Sequence, residues 1–240
     1  DNGLSFGASM DIDGNTTQAS SGITTTENAA DTEVFVSGAF GTVTMGDTDG
    51  GYDWAMQETA VGGSITDNET AHAGYNGNSG LDGDGDGQVL RYNNTVAGFG
   101  FAVSMEQANN GGAGDDITGV GVKYSTDMGG MGVAFGLGTQ TAGDDNRTGA
   151  SVKVTSGAMS FIVNASSGEE GGVDKAHTGL GFGYSMNGLT VGVNWGENES
   201  GATKTDGTGI AVNYDLGGGV VAQFGANSDD QMSLGLGLSF

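Results

Sequence analysis

The carboxyl-terminal stretch 231–240 alternates strictly between large apolar and small or polar side chains. In an extended strand, a period of two places every apolar side chain on one face and leaves the other face small and wettable. A strand with so wide an apolar face must lie against a protein core or against lipid. The apolar positions are Met232, Leu234, Leu236, Leu238 and Phe240.

The same alternation recurs along the whole chain and predicts about fourteen antiparallel strands. Each strand would be about ten residues long, which is the length that a tilted strand needs to cross a bilayer. The apolar sets of these strands begin at Leu4, Val34, Val43, Leu90, Phe99, Val120, Met131, Ala150, Met159, Leu180, Leu189, Ile210, Val220 and Met232.

Composition indicates that the apolar faces contact lipid. The chain has 240 residues, of which 50 are Gly and only 35% are hydrophobic, so large side chains are too few for a two-layer core. No apolar run approaches the roughly 20 residues of a membrane helix. With 30 acidic against 6 basic side chains, the chain lacks the clustered cations that nucleic acid requires. We therefore predict one all-β domain over residues 1–240, a transmembrane antiparallel β-barrel.

The connections between the predicted strands support this interpretation. Very short connections alternate with longer polar ones at 107–116, 142–147, 166–175 and 197–208, which places all tight turns at one end of a meander. The alternatives are a soluble β-sandwich and a calcium-binding β-roll, but the chain lacks the nonapeptide repeat that a β-roll requires. The predicted tight turns lie at 97–98, 128–130, 157–158, 187–188 and 217–219.

Four segments resemble a known family. They are residues 2–9 (NGLSFGAS), residues 34–47 (VFVSGAFGTVTMGD), residues 214–219 (YDLGGG) and the terminal Phe240. With the strand order, they make the chain similar to the general diffusion porins of the Gram-negative outer membrane, most of all the alphaproteobacterial ones. The resemblance implies a homotrimer of sixteen-stranded barrels embedded in outer-membrane lipid and lipopolysaccharide, with a long third loop folded into the lumen.

The resemblance also bears on the first strand. In the family, the turn at Asn2-Gly3 follows a hairpin of two strands, whereas this sequence begins at the turn. An unpaired strand edge in lipid leaves backbone groups unsatisfied at several kcal/mol each. We therefore expect roughly 30 to 40 upstream residues to supply the hairpin. A barrel that closes with fewer strands is the alternative.

Residues 50–87 form the longest interruption, at the position of the family's constriction loop. A porin performs no covalent chemistry and filters solutes by size and charge, and the chain shows no catalytic ordering of Ser, His and Asp. A solvated external loop is the alternative, although long loops in compact domains are usually functional. We predict that Trp54, Met56 and Ile65 attach the loop to the wall and that Asp53, Glu58, Asp67 and Glu69 line the opening.

Strand parity predicts which basic residues face the lumen. Because Leu90 and Tyr92 face lipid, Arg91 faces inward, and the same parity places Lys123 and Lys153 inside. In the family, an arginine cluster faces the acidic loop, so Arg91 is the candidate here. Lys123 and Lys153 either join it or are solvated lumen residues.

The scarcity of cations predicts a water-filled channel that prefers cations and passes ions and small hydrophilic solutes by passive diffusion. The alternative is a barrel that serves mainly as a surface receptor or attachment protein. Conductance in planar bilayers separates the two.

The run of alternating Asp and Gly at 82–87 resembles the start of an EF-hand loop. Hard oxygen ligands at this spacing suit calcium, so we predict binding by Asp82, Asp84 and Asp86. A flexible acidic turn is the alternative, because the twelfth position is Asn93 and not Glu. Calorimetry that shows no heat with calcium would exclude binding. No other cofactor is expected, and His72 and His177 are predicted to be solvated.

Overall fold

Fourteen antiparallel strands form a single sheet in sequence order, as predicted. The computed structural model describes residues 3–10, 32–64, 70–83, 87–108 and 114–239. The strands are β1 (Ser5–Met10), β2 (Thr32–Gly38), β3 (Gly41–Gly46), β4 (Val89–Val96), β5 (Phe99–Glu106), β6 (Ile117–Asp127), β7 (Met131–Ala142), β8 (Asp145–Ser156), β9 (Met159–Glu170), β10 (Val173–Met186), β11 (Leu189–Ser200), β12 (Thr203–Gly217), β13 (Val220–Asn227) and β14 (Met232–Leu238).

Strands β1 and β14 are the two edges of this sheet, and no ladder joins them within the described residues. A short helix, α1 (Gly51–Ala55), lies between β3 and β4. No helix in the described part of the chain is long and apolar enough to cross a membrane.

The two faces of the sheet invert the arrangement of a soluble protein. The outer face exposes large apolar side chains, among them Leu234, which is 78% exposed. The inner face buries amides, and Gln140 and Asn164 are both 0% exposed. Phe99 stacks on Tyr124 across neighbouring strands, with ring centroids 4.5 Å apart. The apolar rows meet no second sheet in the described residues, which is the arrangement typical of a sheet whose outer face lies in lipid.

The tight turns lie where the sequence predicts them, but three of the predicted long loops are wrong. At 142–147, 166–175 and 197–208 the strands continue and close in two-residue hairpins. Strands that project beyond the hydrocarbon face water on both sides, so their apolar alternation stops while the backbone ladder continues. Composition alone therefore makes these extensions look like loops.

The long connection between β3 and β4 folds over the inner face. Its helix α1 packs against β5, β6 and β7. The rest of the connection continues along the wall as far as β13, where Asn227 donates to Ala71 O at 2.9 Å. The predicted inward folding of residues 50–87 is confirmed for their described part, which is called the loop below.

Candidate functional site

Asparagine side chains on the inner wall hold the backbone of the loop. An irregular segment cannot pair its own backbone groups, so buried carbonyls need donors from elsewhere. The wall supplies them from β9, β11 and β12, which are remote in sequence from the loop. The donors are Asn164 to Gln57 O (3.1 Å), Asn194 to Thr70 O (3.2 Å), Asn198 to Ala73 O (3.2 Å) and Tyr75 O (3.1 Å), and Asn213 to Gly63 O (2.7 Å).

Wall serines complete the attachment by accepting hydrogen bonds from the loop. Gly51 N–H donates to Ser104 Oγ and Gln57 N–H donates to Ser151 Oγ, both at 2.8 Å. Because both bonds anchor backbone groups at the two ends of α1, the short helix has a defined position on the wall.

Glycines on the wall let the loop backbone approach closely. A Cβ at any of six inner positions would overlap a carbonyl oxygen of the loop, inside the 3.0 Å that real Cβ atoms keep. The loop therefore packs against a row of wall positions that have no side chain, and this packing accounts for part of the glycine content. These positions, the wall glycines, are Gly121, Gly136, Gly181, Gly192, Gly196 and Gly209.

The predicted apolar anchors lie on the wall where the structure describes them. Lys123 Nζ lies 3.5 Å above the centroid of the Trp54 ring and also donates to Trp54 O at 2.9 Å. Met56 is buried. The cation therefore attaches the helix through both an indole face and a carbonyl. Ile65 lies outside the described residues.

Asp53 is the acidic residue most affected by its surroundings. Burial, followed by the nearby charges of Asp49, Glu58 and Asp82, raises the pKa of Asp53 to about 8, against a lowering by Arg91. Its carboxyl group is therefore largely protonated at neutral pH. Glu58 is exposed and accepts a hydrogen bond from Tyr75 Oη at 2.7 Å.

The other predicted lining residues, Asp67 and Glu69, lie outside the described residues. Whether any of these acids lines the opening stays a prediction.

Two of the three basic residues that the sequence predicts to face inward lie at the loop. Arg91 on β4 donates from a terminal guanidinium nitrogen to Asp49 O at 2.5 Å, beside the start of the loop. Lys123 contacts Trp54, as described above. Lys153 on β8 lies one inward position nearer the tight turns than Ser151, in a cavity that it lines with Ser125 and Thr155. The structure thus brings Arg91 and Lys123 to the loop and leaves Lys153 below it.

Asp82 joins the two ends of the loop. Its carboxylate oxygens accept hydrogen bonds from Gly50 N–H at 2.8 Å and from Gln140 Nε2 at 2.5 Å. Burial is the largest cause that raises its pKa to about 6, and the charge of Glu106 adds to it. This carboxylate has a structural role that its position in an Asp-Gly run did not indicate.

Calcium binding at this run stays a prediction. Asp84 and Asp86 lie outside the described residues. Among the residues that are described, no three or more His, Asp or Glu side chains are grouped to hold a metal ion.

The prediction that the histidines are solvated is wrong. His72 is 6% exposed and His177 is 3% exposed. The His72 Nε2 atom lies 2.8 Å from Asn194 Oδ1, and Nδ1 accepts from Gly74 N–H at 3.2 Å, so a neutral ring protonated on Nε2 fits both contacts. Burial also lowers the pKa of His72. His177 shares the inward parity of Gly179 on β10, a signal that could have identified it.

Comparison with known proteins identifies a family and solved structures to which this chain is similar. The family described as Gram-negative porin matches residues 1–232. No curated protein sequence matches the chain.

Solved porin structures share the fold. A porin structure refined at 1.8 Å has 21% identity and a TM-score of 0.67, with 87% of this chain and 81% of that chain covered. A variant of the Rh. blastica porin has 18% identity and a TM-score of 0.70, with 100% of this chain and 86% of that chain covered. At these identities the likeness concerns the fold.

Proposed function

Since this chain belongs to the Gram-negative porin family, we propose that it forms a cation-preferring pore for passive diffusion of ions and small hydrophilic solutes. Family membership places it in the bacterial outer membrane as a channel protein. One observation supports the preference for cations. Arg91 is engaged by the carbonyl directly before the loop and Lys123 by a loop carbonyl, while the acidic side chains near Asp53 outnumber these two cations.

The balance of charge around the loop favours cations. Arg91 donates to Asp49 O, directly before the loop, and Lys123 donates to Trp54 O within it, so backbone carbonyls engage both cations. Asp49 lies near enough to Asp53 and Asp82 to raise the pKa of both carboxyl groups. At physiological salt the Debye length is about 8 Å, so a permeating ion in a narrow pore experiences the ionised members of this group, which Asp53 joins only near pH 8. The formal net charge of -24 gives the surroundings the same sign.

The cation preference is expected to increase with pH. A carboxyl group with a raised pKa is neutral below that pKa and negative above it, so Asp82 charges near pH 6 and Asp53 near pH 8. The folded protein favours the protonated form of Asp53, so ionisation of this carboxyl group lowers the stability of the fold. The contribution of protonated Asp53 to stability is full below its ordinary pKa of 3.8 and is lost as the pH rises through about 8. Reversal potentials under a KCl gradient at about pH 5, 7 and 9 bracket both steps.

One variant and its control test whether Asp53 causes the increase in cation preference near pH 8. Asp53→Asn should remove the increase near pH 8 and keep the one near pH 6. Asp144→Asn, at an exposed hairpin remote from the loop, removes the same charge and should change neither step. Anion preference across the range would contradict the proposed selectivity, and an unchanged pH profile of Asp53→Asn would contradict the role of that carboxyl group.

We also propose a homotrimer, on the basis of family membership. Sedimentation of the detergent-solubilised protein is expected to give three times the mass of one chain. Protein that sediments with the mass of one chain and still forms conducting channels in planar bilayers would contradict the proposed assembly.

A further inference from the structure

Gly183 and Gly192 lie side by side under one residue of the loop. They are register partners on β10 and β11. A Cβ at Gly192 would overlap the carbonyl oxygen of Val61, whereas a Cβ at Gly183 would lie 2.5 Å from Val61 Cγ1. The same loop residue therefore meets one glycine with its backbone and the other with its side chain.

The loop, and not the wall, should yield when either glycine gains a methyl group. Strands β10 and β11 pair with each other along twelve residue positions and are also paired with β9 and β12. The loop beside Val61 has no ladder, and its nearest wall attachment is the pair of bonds between Gly63 and Asn213. Ordinary van der Waals contact needs 3.4–4 Å. Added atoms on the wall must therefore move the loop backbone toward the lumen.

We propose that Gly183 and Gly192 are positioning residues that determine how far the loop projects into the lumen. The open cross-section of the channel then depends on how closely these two glycines let the loop approach the wall, in addition to the side chains that line the opening. This inference requires only that the lumen conducts, and it is independent of the proposed ionic preference. Large hydrophilic solutes should be affected more than small ions, because they fill more of the opening.

The test measures single-channel conductance in planar bilayers and entry of oligosaccharides of increasing size into liposomes. Gly192→Ala should lower the conductance by roughly twofold, since conductance follows the open cross-section. Gly183→Ala should lower it less, because its new methyl group meets a side chain and the Ser160 hydroxyl, which can rotate. Both variants should exclude the largest sugars that the unmodified protein admits.

Val61→Ala separates positioning from general damage. It removes the Cγ atoms that a methyl group at Gly183 would meet and leaves Val61 Cβ at 3.2 Å. The double variant Gly183→Ala/Val61→Ala should therefore recover the conductance. The same change should not rescue Gly192→Ala, because the oxygen that obstructs that methyl group belongs to the backbone. If Gly192→Ala fails to fold, Gly183→Ala and its rescue decide the question.

The matched control is Gly132→Ala. Gly132 is a strand glycine on β7 whose Cβ would meet only Thr155, at 2.5 Å from Oγ1, and no atom of the loop. Its conductance should equal that of the unmodified protein. Unchanged conductance in Gly183→Ala, or a double variant that stays as low as Gly183→Ala, would overturn the proposal. Reversal potentials of the same variants report separately on the ionic preference.

Discussion

Replacement of Asn164 by Leu should release the middle of the loop from the wall. The amide nitrogen of Asn164 donates to Gln57 O and Asn78 Oδ1, both at 3.1 Å, and its oxygen lies 3.1 Å from His177 Nε2. Leu has a similar size but cannot form these bonds, and each buried polar group left unsatisfied costs about 1–3 kcal/mol. Hydrogen exchange at the Gln57 amide should accelerate by roughly 100-fold as the loop opens locally.

The control for this variant is Asn146→Leu. Asn146 is exposed on β8, and among the described residues its side chain donates to Asp144 O, at 3.4 Å, and to no loop atom. The same substitution there should leave the loop amides protected. Equal protection of the loop in Asn164→Leu and Asn146→Leu would show that the wall asparagines do not hold it.

Replacement of Glu106 by Ala should loosen the end of the loop. Glu106 is 1% exposed, and its carboxylate accepts hydrogen bonds from Gly83 N–H at 2.9 Å and Gly87 N–H at 2.8 Å. Hydrogen bonds to a charged group contribute about 1.5–3 kcal/mol each, so the amides of Gly83 and Gly87 should lose most of their exchange protection. The pKa of Asp82 should also fall, because the charge of Glu106 helps to raise it.

Glu106→Gln distinguishes the charge from the hydrogen bonds. The Gln carbonyl can still accept from one of the two amides, so protection should lie between those of the unmodified protein and Glu106→Ala. The pKa of Asp82 should fall equally in both variants, since both remove the charge. Full protection of Gly83 and Gly87 in Glu106→Ala would contradict the role of this carboxylate.

Much of the fold follows from the period of two in the sequence. It predicts fourteen strands, their order and the inward direction of Arg91 and Lys123, because successive side chains of any strand alternate between two faces. The same reasoning failed for the strand extensions, where water on both faces removes the apolar signal. His177 was also misread, because its polar neighbours suggested a loop, whereas the ladder of β10 continues through it.

The sequence by itself determined which side chains meet lipid and which face inward, since that depends only on local backbone geometry. Only the tertiary structure decided which inward groups hold the loop. Asn213 and Gly63 are 150 positions apart and bond through both the amide nitrogen and the amide oxygen of the side chain. The side chains of an irregular segment do not alternate with a fixed period, so the sequence does not show which of them face the wall. The contacts of the loop depend on where the folded sheet positions each wall asparagine and each wall glycine.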